Sequence, residues 1–383
     1  MNTSDLSMKG MVIMMKKKRK GLIIAGSIIL VIILIIILIP KILFTDYKGL
    51  PTTGDYEVKM ASAITIDESR LESFETDGSN REVPVYFYYP DTKDTEKNSF
   101  PLVVFSHGAF GYYQSNVSTY MELASNGYVV VSLDHPYHSF FTTDTEGKTI
   151  TVNPEFLQQA LNINNESVSE KEVIQTSHTW LNIRVADINF VLDSVKKAKE
   201  AQSLNDKTWH VSDDETKTEI LDILSMVNIE KIGMMGHSLG GASSVTIGRT
   251  RNDISAVIDI DGTMLGEEFD YENGVYKFYE GNYPVPLLSF NSQSHQESSD
   301  EANLLYVNNV VLENAVDGQY TYFEGSEHMN FTDLPLFSPI LASFLGVGEV
   351  DATECITTMN EVILDYFNCY LKDQGEVVIK ECY

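Results

Sequence analysis

The chain has 383 residues, 27 Lys/Arg against 55 Asp/Glu, and a formal net charge of −28 at pH 7. That length allows one large domain plus an anchor, and the 43% apolar and 10% aromatic fractions suit a globular core. Beyond the first twenty residues no Lys/Arg patch suggests nucleic acid, no paired Cys/His spacing suggests a metal, and three cysteines make no disulfide framework.

Residues 1–20 carry six Lys/Arg against one Asp, five of the six in Lys16-Lys-Lys-Arg-Lys20. The uncharged run Leu22–Ile39 follows, and at about 1.5 Å per residue it matches the roughly 30 Å bilayer hydrocarbon. The expectation is a cytoplasmic N-terminus, a transmembrane anchor over 21–40 and a body outside the membrane, because the basic block stays on the cytoplasmic side. A juxtamembrane linker over 41–55 and a catalytic domain over 56–383 complete the division. An acidic body is repelled by anionic headgroups.

Early β structure is predicted over Tyr56–Ile66 and Val83–Tyr89. Phe100–Phe105 reads as a short buried strand ending in the turn Ser106-His-Gly-Ala-Phe-Gly111. A helix over Asn116–Asn126 and a strand over Tyr128–Leu133 follow. Residues 144–177 interrupt the pattern, either as a lid helix bearing Phe156, Leu157 and Leu161 or as a solvated excursion. Trp180–Ala201 shows the 3.6-residue period of a crossover helix through Leu181, Val185, Ile188, Val191, Leu192 and Val195.

Gly236-His-Ser-Leu-Gly240 stands between the apolar run Ile229–Met235 and the small-residue run Gly241–Ile247. A strand that breaks at glycine and re-enters as a helix is what a nucleophile elbow requires, and it would hold Ser238 on a strained turn. A serine needs a base, and in this fold the acid and then the histidine follow the serine along the chain. Only His295 and His328 lie after Ser238. His328 sits in a glycine-started loop after the strand Gln319–Glu324, whereas His295 lies in the polar stretch Asn291–Asp300, expected to be solvated. Ser255–Gly262 reads as the strand after the nucleophile helix. Asp259 and Asp261 share its parity. Asp261 at the carboxyl end is the expected acid, and an acid after the next strand, Glu297 or Asp300, is the alternative. Leu239 and Ala109 are the expected backbone oxyanion donors, with His107 propping the second loop. Ala352–Leu371 closes the fold as a helix, Thr358, Asn360 and Asn368 on its polar side.

Six segments run in family order: Asp67-Glu-Ser-Arg70, Arg81–Pro90, Phe105-Ser-His-Gly108, Gly236-His-Ser-Leu-Gly-Gly241, Ile258-Asp-Ile-Asp-Gly262 and His328-Met-Asn-Phe-Thr-Asp333. On them the chain resembles the platelet-activating-factor acetylhydrolase family, its plasma, lipoprotein-associated phospholipase A2 branch and their bacterial relatives. The resemblance implies an α/β-hydrolase fold, no cofactor and no metal. It implies the triad Ser238, Asp261 and His328, and short or oxidised acyl esters of phospholipids as substrates. Leu239 departs from the Phe frequent there, and 144–177 has no counterpart. The alternatives are a general carboxylesterase or lipase, and a catalytically silent hydrolase-fold module that binds a partner at the cell surface.

Overall fold

The computed structural model describes residues 43–92, 97–163, 165 and 167–383. The expected anchor therefore lies outside the described residues, and among those no helix is long and apolar enough to cross a membrane. In chain order the strands are β1 (Val58–Leu71), β2 (Asn80–Pro90), β3 (Phe100–Ser106), β4 (Val129–Leu133), β5 (Phe141–Thr143), β6 (Thr149–Thr151), β7 (Trp209–His210), β8 (Val227–His237), β9 (Ala256–Ile260), β10 (Glu268–Glu272), β11 (Val275–Phe278), β12 (Leu287–Ser292) and β13 (Gly318–Phe323). The helices are α1 (Val117–Ser125), α2 (Pro154–Asn162), α3 (Glu170–Ala201), α4 (Asp214–Met226), α5 (Leu239–Thr250), α6 (Gln293–Ala302), α7 (Val307–Glu313), α8 (Leu334–Phe337), α9 (Pro339–Leu345) and α10 (Ala352–Lys372).

Among the described residues nine strands form one sheet in the order β13-β12-β9-β8-β3-β4-β2-β1-β7. From β13 to β4 every pairing is parallel, and β2, β1 and β7 add an antiparallel flank. Apolar runs such as Leu102–Phe105 are buried on both faces because helices cover both, as a parallel sheet requires. Leu102 and Val104 point to one core with α3, α4 and α5, while Val103 and Phe105 point to the other with α1 and α10. The two-residue period of the strand divides one sequence between two cores.

The predicted elements form, with informative shifts at their ends. The helix expected from Trp180 begins ten residues earlier, at Glu170, because Ser169 and Glu172 close a reciprocal capping box there. Asn153 caps α2, accepting from Glu155 and Phe156 N–H. Asn291–Asp300 is largely the helix α6, capped by Ser292, rather than a solvated loop. On α10, Asn360 is buried and accepts from Thr119, and Asn368 accepts from the Tyr128 hydroxyl, so these two positions of the expected polar side meet inward-facing partners.

Candidate active site

β8 runs through the middle of the sheet and delivers Ser238 to its carboxyl end, where it caps α5. Its backbone is strained, at φ 57° and ψ −124°, a region a side chain occupies only when its surroundings enforce it. The enforcement is visible. Ser238 N–H donates to Ile260 O at 2.8 Å, tying the elbow to β9. A Cβ on Gly240 would lie 1.9 Å from Ser106 O, and one on Gly236 would lie 2.4 Å from the Gly240 backbone. Both flanking glycines answer to crowding, since neither has a left-handed φ.

Asp261 leaves the end of β9, also at positive φ (54°). Its Oδ2 accepts from His328 Nδ1 at 2.7 Å, and its Oδ1 accepts from Ser292 N–H at 2.6 Å and His295 Nδ1 at 2.9 Å. Burial opposes ionisation of Asp261, but hydrogen bonds from His295 and His328 outweigh it and hold the carboxyl well below the usual carboxylate range. Asp259, one strand period back, is the opposite case. Burial, then the Asp261 charge, push it well above that range. Its hydrogen bonds, from the Gly262 N–H and a long one of 3.5 Å from Ser289 Oγ, are too weak to offset that push. Glu297 and Asp300 bond Gln293 and Gln296, not a histidine.

His328 opens a 3₁₀ turn, His328–Phe331, and the rest of that segment fastens it. Asn330 Oδ1 accepts from Glu327 N–H and Gly348 N–H, and Asp333 accepts both N–H and hydroxyl of Ser118 on α1. His237 Nε2 donates to His328 O at 3.1 Å. Burial, then the nearby His328, push His237 down to about 3, so it stays neutral.

The turn after β3 crosses Ser238 so closely that a Cβ on Gly108 would sit 3.2 Å from Ser238 Cβ. Ala109 follows and lines the same cavity as Ser238, while Leu239 opens α5, whose first-turn N–H groups lack intrahelical acceptors. His107 props the turn as expected: Nδ1 bonds Gly108 O at 2.7 Å and Nε2 lies 2.9 Å from Ser139 Oγ. Sequence reasoning missed what lies behind it. Arg184 on α3 is fully buried and donates to His107 O and Gly108 O. Burial pushes its guanidinium down to about 9 despite the pull of Asp187. One turn along α3, Asp187 accepts from Arg81, Arg70 and His135 Nδ1, and His135 Nε2 reaches Ser106 Oγ. Burial would raise the Asp187 carboxyl, but Arg81 and His135 hold it well below the ordinary range. The same burial pushes His135 down to about 4. Arg70 and Arg81, just outside the expected early strands, prove to lie on β1 and β2.

Ser238, Asp261 and His328 line one cavity of about 520 Å³. Its apolar side is Ala109, Ile163, Val173, Trp180, Leu239 and Leu265; its polar side is Thr263, Ser292, Ser294, His295, Ser298 and Tyr306. Residues 144–177 thus supply part of the wall. Phe156 of α2 is buried against His138, Trp180 and Phe110, whereas Leu157 and Leu161 remain exposed. Among the described residues no group of three or more His, Cys, Asp or Glu could hold a metal ion.

Residues 74–381 match the family described as platelet-activating factor acetylhydrolase, isoform II. The platelet-activating factor acetylhydrolase of Gallus gallus is 25% identical over 284 residues, 71% of this chain and 62% of that protein. That of Bos taurus is 22% identical, over 71% and 57%. A probable 1-alkyl-2-acetylglycerophosphocholine esterase of Arthroderma benhamiae is 22% identical, over 75% and 65%. The chain therefore spans less than two thirds of each of these relatives. Among solved structures, a ferulic acid esterase from Streptomyces cinnamoneus superposes with a TM-score of 0.59 at 18% identity, covering 87% of this chain and 95% of that one, which shows the α/β fold. By its sequence over residues 74–381, the chain belongs to the platelet-activating factor acetylhydrolase isoform II family.

Proposed function

We propose that this protein is a serine ester hydrolase working through an acyl-enzyme, with Ser238 as nucleophile, His328 as base and Asp261 as orienting acid. The observation that carries the reading is the strained Ser238 elbow opening onto the cavity that the His328–Asp261 pair also lines. His328 Nε2 takes the Ser238 hydroxyl proton as Oγ attacks the ester carbonyl. The oxyanion is received by the N–H groups of Leu239 and Ala109. His328 then returns the proton to the leaving alkoxide, and Asp261 stabilises the imidazolium formed between these steps. Water deacylates Ser238 by the same route.

The relatives' names favour an acetyl or similarly short acyl ester of a glycerophospholipid. A cavity of about 520 Å³ suits that size of acyl group. The uncharged run 22–39 behind its basic block supports a single-pass anchor with the body outside the cytoplasm. Labelling by a fluorophosphonate probe tests the chemistry: wild type labels and Ser238→Ala does not. Persistent labelling of the alanine variant overturns the nucleophile. Protease added to intact cells should digest the body and spare an N-terminal tag, and protection of the body overturns the topology.

A further inference from the structure

Asp261 serves two imidazoles, one on each carboxylate oxygen. The second, His295, sits in the first turn of α6 with its side chain 10% exposed, against 2% for Asp261 and 44% for His328. An ionised carboxylate only accepts, so His295 carries its proton on Nδ1. Its Nε2 lies 2.5 Å from the Tyr306 hydroxyl, which donates to the ring when Nδ1 alone carries the proton. Tyr306 oxygen in turn lies 3.2 Å from Thr263 Oγ1. Each donor in Thr263–Tyr306–His295–Asp261 has one acceptor, and the chain ends on the oxygen opposite the one facing His328.

We propose that His295, held by Tyr306, is a positioning residue that shares the Asp261 carboxylate with His328 and so sets how strongly Asp261 stabilises the His328 proton. This rests on the reading of Ser238, His328 and Asp261 as the catalytic set. A hydrogen bond donated to a carboxylate draws charge from both of its oxygens, and in a dry site that effect is strong. Without the His295 donor, more charge faces His328, its imidazolium is better stabilised, and protonation disables the base at higher pH. The other titratable groups facing this unit are His237 from the elbow, Asp259 from β9 and Glu268 near Tyr306: burial, then the nearby His328, push His237 down to about 3, and burial pushes Asp259 well above the usual carboxylate range and Glu268 up to about 7. Ser292 N–H comes from the start of α6, and Glu327 beside His328 is bonded to Ser294. None of these is exchanged when His295 is replaced.

The test is the pH dependence of kcat/KM for a p-nitrophenyl ester, measured on the full chain and on His295→Phe, His295→Asn and Tyr306→Phe. The acid limb of kcat/KM reports the free enzyme's base. His295→Phe is expected to move that limb up by roughly half a pH unit or more. His295→Asn should restore it, because Asn Nδ2 takes the place of imidazole Nδ1 and donates without titrating. Tyr306→Phe should shift it in the same direction by less, since it frees the tautomer but keeps the ring. An unmoved limb in His295→Phe, or an equal shift in His295→Asn, overturns the inference. If His295→Phe does not fold, Tyr306→Phe carries the test, an upward shift supporting the inference and an unmoved limb overturning it. Ser238→Ala runs alongside: residual turnover there would sink the catalytic set itself rather than the role of His295.

Discussion

Replacing Arg184 with Met separates stability from turnover. The guanidinium donates to His107 O and Gly108 O, the two carbonyls that fix the turn carrying Ala109. Gly108 O keeps its bonds from His107 Nδ1 and Gly111 N–H, so the two groups that lose the Arg184 donor are His107 O and His138 Nδ1, at about 1–3 kcal/mol each. Against that stands the burial of the charge. Its push down to about 9 amounts to more than three pH units, so removing the charge returns roughly 5 kcal/mol. The two effects are comparable, and folding stability should change little or rise. Catalysis has no such offset. If the turn relaxes and Ala109 N–H leaves the oxyanion, kcat should fall on the order of 10²-fold. Arg184→Lys should not rescue it, because one ammonium cannot span both carbonyls as a planar fork does. The assays are urea midpoints and kcat on p-nitrophenyl acetate. A folded Arg184→Met enzyme with kcat within about threefold of wild type would refute the reasoning.

Further outcomes follow from the same geometry. Asp261→Asn should lower kcat by roughly 10⁴-fold through the wrong His328 tautomer. Asp259→Asn, replacing an acid whose ionisation burial and the Asp261 charge oppose, should leave kcat within a few-fold; inverted results mean the acid is misassigned. Burial pushes Asp134 up to about 7, so the wild type binds this proton folded but not unfolded between about pH 4 and 7. Its share of stability is present below pH 4 and lost as pH rises through 7, so Asp134→Asn should gain on wild type across that window, by up to roughly 4 kcal/mol. Thermal melts from pH 4.5 to 8 check the sign, and a gap that narrows with rising pH contradicts it. Gly240→Ala would drive a Cβ to 1.9 Å from Ser106 O, and backbone cannot yield as a side chain does. Destabilisation above roughly 3 kcal/mol is expected from urea midpoints, and a wild-type midpoint would show that the elbow is not so tightly packed.

Local pattern determined much of this protein. Val-rich runs bounded by turns fall where strands form, the apolar period of 181–195 marks α3, and Gly236–Gly240 announces the elbow, because each feature is set by neighbours a few residues away. Chain order then brought forward Asp261 and His328, and the structure brings them within 2.7 Å of each other. What sequence could not contain is partnership across the fold. His295 read as solvated because its neighbours are polar, yet Ser292 starts a helix there and turns it onto Asp261, 34 residues away. Arg184 and Asp187 lie between the apolar positions that mark this helix, with no local sign of burial, and they are its most buried charges, meeting His107 and Arg81 about eighty and about a hundred residues away. A buried charge is tolerable only where distant groups satisfy it, and which groups those are is decided when the sheet assembles.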